Sequence, residues 1–127
     1  VELAREQGAL RAVPLAVSAP FHCGLMAPAA ERLAQALAPI PLAPLSVPVV
    51  TNVEAAPNRD PARVKELLVR QLTSPVRWEE CVRRLVEMGI DRAFELGVGN
   101  VLAGLVRRID RTLSVTPIGE PDQVAAF

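Results

Sequence analysis

Aromatic residues are scarce in this chain. Tyrosine is absent, and among 127 residues only Phe21, Phe94, Phe127 and Trp78 carry aromatic rings. Half the residues are nonetheless apolar, so any core must be aliphatic. An excess of either charge is also missing: fourteen basic residues balance fourteen acidic ones, which gives no pull toward nucleic acid or an anionic membrane surface. No apolar run reaches the roughly eighteen residues of a membrane span, and no signal-peptide pattern opens the chain. Histidine occurs once, at His22, and cysteine twice, at Cys23 and Cys81. One His and two Cys do not make a zinc site, so no metal is expected. Two cysteines without a secretory signal are expected as free thiols in a reducing compartment, with the cytoplasm as default.

What is present reads as alternating elements, in a length typical of one domain. Residues 1–8 form the end of a helix, with Leu3 and Ala4 inward and Gly8 just past its close. Starting inside a helix is unusual for a natural N-terminus. Residues 12–17 are the first expected strand, with Pro14 suited to an edge. Pro28 fits the first turn of a helix whose Leu33, Ala34 and Leu37 recur at helical spacing. Pro39, Pro41, Pro44 and Pro48 then impose an extended connector. A strand is expected over 47–53 with Val49 and Val50 buried, followed by a loop over 54–59.

Asp60-Pro61 is a helix start, a capping Asp followed by Pro at the first helical position. Val64, Leu67, Leu68 and Leu72 make one apolar stripe on this helix, and Gln71 falls on it. Ser74-Pro75 opens another helix, with Trp78, Cys81, Val82, Leu85 and Val86 inward and Gly89 at its end. A strand over 90–96, a Gly97-Val98-Gly99-Asn100 turn, a helix over 101–109, a strand over 113–118 and a terminal helical turn complete the chain. Strands alternating with amphipathic helices predict an α/β fold with a mainly parallel sheet.

His22 stands where the first strand gives way to a loop, a suitable place for a group that takes and returns protons near neutrality. Its nucleophile is not evident. None of Ser18, Ser46, Ser74 or Ser114 sits in a Gly-x-Ser-x-Gly elbow. Cys23 is next in sequence, but adjacent side chains in extended backbone point opposite ways. The Gly97-x-Gly99 turn could cradle a phosphate at a helix N-terminus, yet it lacks the third glycine of a dinucleotide fingerprint.

Three stretches carry a family resemblance. They are Val17-Ser18-Ala19-Pro20-Phe21-His22-Cys23 with Leu25-Met26, then Val69-Arg70-Gln71-Leu72-Thr73-Ser74-Pro75-Val76-Arg77-Trp78, then Glu95-Leu96-Gly97-Val98-Gly99-Asn100-Val101-Leu102. In this order they resemble the C-terminal portion of malonyl-CoA:acyl carrier protein transacylase. The resemblance implies an α/β-hydrolase-like domain with an inserted ferredoxin-like subdomain. Residues 1–17 would be the tail of the small subdomain and residues 18–127 the C-terminal part of the large domain. The implied function is transfer of a malonyl group from coenzyme A to the phosphopantetheine thiol of acyl carrier protein, in fatty acid biosynthesis. No cofactor is implied beyond malonyl-CoA as substrate.

By the same resemblance His22 is the general base, and Gln71 offers it a main-chain carbonyl in place of a triad carboxylate. Phe21 crowds the substrate's α-carbon and so selects malonyl. The chain supplies the His but not the Ser nucleophile, which the resemblance assigns to an N-terminal part of the same enzyme, and alone it is expected to be inactive. Where the family has Gly-Pro-Gly-Lys, this chain has Gly97-Val98-Gly99-Asn100. Arg107, Arg108 and Arg111 cluster near a helix end, matching its dipole and offering a face to an acidic carrier. The alternatives are an acyltransferase domain fragment of a polyketide or fatty-acid synthase, or an inert fragment.

Overall fold

The computed structural model describes residues 1–14 and 17–124. In chain order the elements are α1 (Glu2–Glu6), α2 (Ala27–Leu37), β1 (Val49–Val50), β2 (Pro57–Asn58), α3 (Pro61–Thr73), α4 (Trp78–Glu87), β3 (Arg92–Leu96), α5 (Val101–Ile109), β4 (Ser114–Ile118) and α6 (Pro121–Val124). The class is α/β, as the alternating pattern predicts. The sheet differs from expectation. A parallel ladder joins β3 to β4 from Arg92 opposite Ser114 to Leu96 opposite Ile118, while β1 and β2 form a separate antiparallel pair.

Local chemistry sets the start of α3. The Asp60 carboxylate accepts a 2.8 Å hydrogen bond from the Ala62 N–H, and Pro61 takes the first helical position of α3. Helix α2 carries Pro28 in its first turn and α5 covers the expected 101–109. Two expectations fail for want of partners. Leu3, read as inward, is 68 % exposed, because α1 is five residues long and buries none of them. The strand expected over 12–17 is irregular at 12–14 and at 17, where Pro14 has no N–H for a ladder; its residues 15 and 16 lie outside the described residues.

The strand expected over 47–53 shrinks to β1. Pro48 denies it a donor on one side, and on the other the chain folds back at once. Ala55, at φ +52°, donates to the Thr51 carbonyl at 2.8 Å, and β2 returns alongside. Val49, expected buried, is half exposed, since a two-stranded hairpin is covered on one face only.

Helix α4 begins at Trp78 instead of at Ser74-Pro75. Residues 74–77 stay outside the helix, with Ser74 extended before Pro75 and Arg77 tied to the hairpin turn. Its N–H donates to the Asn52 carbonyl at 2.9 Å, and its guanidinium to the Glu54 carbonyl at 3.1 Å and to Glu80.

The main core lies between α4, α5 and the β3–β4 pair. Val82 is fully buried there with Val106 and Leu113, and Trp78, Leu85 and Ile109 pack around them. Removing one such aliphatic side chain from water contributes about 1.5–3 kcal/mol, which is how this nearly ring-free core holds. Cys81 is buried beside it and Cys23 half-buried, both as free thiols. Burial pushes the Cys81 thiol up from its ordinary range. No helix among the described residues is long and apolar enough to cross a membrane.

Glu95 ties β3 to α5. Its two carboxylate oxygens accept the N–H groups of Leu102 at 2.9 Å and Ala103 at 2.8 Å. These are amides of the first turn of α5, which have no intrahelical partner. The helix is thus capped by a strand residue from across the glycine turn.

A second carboxylate, Glu54, binds the hairpin turn to α3. It accepts from Arg63 at 2.8 Å and from Arg70 at 2.8 Å, and Arg70 also reaches Glu66 at 3.0 Å. The hydrogen bond from Arg70, then that from Arg63, holds the Glu54 carboxyl below the usual carboxylate range. A folded-state pKa below the unfolded one gives stability that is present above the usual carboxylate range and lost as pH falls through the depressed value. Glu54→Gln is therefore expected to lower the thermal midpoint at pH 7 and to narrow the drop between pH 7 and pH 3. An unchanged acid dependence in the variant would remove Glu54 from this role.

Candidate functional site

His22 sits in a turn that local bonds define on both sides. The Phe21 N–H donates to the Ala19 carbonyl at 2.9 Å, and a short 3₁₀ turn over Gly24–Met26 leads directly into α2. His22 itself has φ +59°, a left-handed conformation uncommon for a residue with a Cβ. Such backbone costs about 1–3 kcal/mol and persists where surroundings over-determine it, often at functional sites.

The imidazole Nδ1 lies 2.8 Å from the main-chain carbonyl oxygen of Gln71, 49 residues along the chain. A carbonyl only accepts, so the ring nitrogen donates, and the neutral imidazole is the Nδ1–H tautomer. Nε2 is then left with its lone pair on a residue that is exposed. Gln71 belongs to the last turn of α3, whose carbonyls lack intrahelical donors. Its half-buried side chain lines a small apolar cavity of about 210 Å³ with Val50, Asn52 and Leu67.

Of the other sequence-derived candidates, Phe21 precedes His22 and is 54 % exposed. Cys23 turns away from a pairing with its neighbour: its thiol donates to the Pro20 carbonyl at 3.2 Å. Among the described residues, no cluster of three His, Cys, Asp or Glu side chains could hold a metal.

The glycine turn after β3 does not offer a phosphate cradle. Gly97 and Gly99 have φ +130° and +101°, values that suit glycine, so the residues are explained by the turn. The helix amides a phosphate would use are taken by Glu95. Sequence reasoning passed over this residue, although an acidic side chain on the inward face of a strand, just before a Gly-x-Gly turn and a helix, was the available signal. Arg107, Arg108 and Arg111 line adjoining grooves at and beyond the C-terminal end of α5, and among the described residues none of them is in an ion pair.

No family model matches the chain. Individual proteins do. The chain is 44 % identical over 123 residues to the malonyl CoA-acyl carrier protein transacylase of Bacillus subtilis (strain 168), a match covering 97 % of this chain and 39 % of that protein. Among solved structures, the acyl-carrier-protein S-malonyltransferase of Burkholderia pseudomallei superposes with a TM-score of 0.89 at 43 % identity, over 98 % of this chain and 41 % of that one. A malonyl-transacylase in complex with a type II PKS acyl-carrier protein superposes with a TM-score of 0.90 at 41 % identity, over 98 % of this chain and 40 % of that one. The chain thus spans about two fifths of the length of its relatives. Along nearly its whole length, in sequence and in fold, it is similar to part of the malonyl CoA-acyl carrier protein transacylases.

Proposed function

We propose that these residues supply the histidine side of a malonyl transfer from coenzyme A to the phosphopantetheine thiol of an acyl carrier protein. One observation carries this reading: the Nδ1–H of His22 is held at 2.8 Å by the Gln71 carbonyl, leaving Nε2 as a base. In the first step Nε2 takes the proton of a serine hydroxyl as the oxygen attacks the malonyl thioester. The proton then goes to the departing coenzyme A thiolate, and malonyl stays on serine as an ester. In the second step Nε2 takes the proton of the carrier's thiol, the sulfur attacks that ester, and the proton returns to serine. Gln71 fixes the tautomer as a triad carboxylate does, but through a dipole instead of a full charge.

The serine belongs to the N-terminal part of the same enzyme under this reading, since no serine here sits in a nucleophile elbow. Residues 1–17 are then the tail of a ferredoxin-like subdomain, and 18–127 the C-terminal part of an α/β-hydrolase-like domain acting in the cytoplasm. Phe21 lies beside the malonyl α-carbon, and Arg107, Arg108 and Arg111, which form no ion pair among the described residues, face the acidic carrier. Fatty acid synthesis is the pathway proposed. The relative solved with a type II PKS carrier favours polyketide synthesis as the second reading.

Three tests follow. In a chimera where these residues replace the matching part of the Bacillus subtilis relative, His22→Ala is expected to cut transfer by about 10²–10⁴-fold with the fold retained; near-full activity would remove His22 from the chemistry. In the same chimera Phe21→Ala is expected to bring kcat/KM for methylmalonyl-CoA closer to that for malonyl-CoA, since one methyl group in a crowded pocket is worth about 1–3 kcal/mol. An unmoved ratio would displace Phe21 from the pocket. The 127 residues alone, incubated with malonyl-CoA, are expected to gain no malonyl mass by intact-mass spectrometry. Stoichiometric malonylation at Cys23 would give the chain its own nucleophile and overturn the division of the site.

A further inference from the structure

The carbonyl that holds His22 is available because of the residue four positions after it. In a continuing helix the Gln71 oxygen would accept the N–H of residue 75. That residue is Pro75, which has no N–H. Proline also bars its predecessor from helical backbone, and Ser74 is extended at φ −114°, ψ 151°, so α3 stops at Thr73. The chain beyond is held in that direction by Arg77, through its bonds to the carbonyls of Asn52 and Glu54. Pro75 itself is exposed. Its place is explained by what it withholds from Gln71 and not by packing.

We propose that Pro75 is a positioning residue for His22: it ends α3 at the point that leaves the Gln71 carbonyl to the imidazole Nδ1–H. With a residue at 75 that carries an N–H and permits helix, α3 gains a further turn. The new N–H then competes for the Gln71 oxygen, and His22 loses the bond that fixes its tautomer and ring orientation. The proposal rests on the reading of His22 as base only for its effect on rate; its effect on the ring is independent of that reading.

Because His22 is the only histidine, ¹⁵N-histidine labelling of the 127-residue chain reports this one ring. The native chain is expected to show the Nδ1–H tautomer. Pro75→Ala is expected to shift the ring toward a mixture with Nε2–H, and Pro75→Gly to shift it less, since alanine extends a helix more readily than glycine. A ring that stays Nδ1–H in both variants overturns the proposal. If a variant loses amide dispersion, the chimera decides. There Pro75→Ala is expected to lower kcat by up to about 10²-fold, the scale of a misplaced catalytic group, with KM for malonyl-CoA little changed. An unchanged kcat in Pro75→Ala, where His22→Ala lowers it, overturns the proposal as well. A tautomer shift in Pro75→Ala beside full activity in His22→Ala would leave the positioning intact and remove the base.

Discussion

One hydrogen bond, from His22 Nδ1–H to the Gln71 carbonyl, sets what the rest of the site must accomplish. It joins residues 49 apart, so it exists only if the turn before α2 and the end of α3 are both fixed. Magnitudes show that the bond does not hold the turn by itself. A typical hydrogen bond nets about 0.5–1.5 kcal/mol. The left-handed backbone of His22 costs about 1–3 kcal/mol. The difference comes from neighbouring contacts: the Phe21–Ala19 bond, the Cys23 thiol on the Pro20 carbonyl, and α2 carrying Ala30 into burial.

The far side of α3 is held by the hairpin turn over residues 51–56. Glu54 reaches Arg63 and Arg70 on the helix with its carboxylate, and its carbonyl accepts Arg77 from the segment beyond. Exposed ion pairs taken singly contribute about 0–1 kcal/mol. Here one carboxylate serves two arginines, and the same turn anchors the chain before and after Gln71. The network's value lies in direction: it holds α3 on one side and, once Pro75 has ended the helix, sets where the chain goes next.

Glu95 performs the corresponding service for the Gly97–Gly99 turn. A carboxylate on the free amides of α5 satisfies donors that would otherwise need water or a ligand, and it sets the helix on the strand that precedes it. Val98 and Asn100 stand in this turn where the resemblance implies Pro and Lys. Its geometry comes from the two glycines and from Glu95, not from the residues that differ.

The sequence by itself determined the elements whose ends are written within a few residues. Asp60-Pro61 starts α3, Gly89 follows α4, and the glycine turn and the apolar spacing bound α5. The motif around His22, together with Gln71 on a helical stripe, was legible as a resemblance. Tertiary structure alone decided the rest, because those features depend on partners far along the chain. Residues 47–53 gave a two-residue strand because the return through Ala55 closes a hairpin. Helix α4 begins only at Trp78 because Arg77 finds carbonyls more than twenty positions back. His22 meets Gln71 across 49 residues. Caps and turns act through covalent neighbours and can be read locally, whereas a hydrogen bond across the fold requires that both of its ends already be in place.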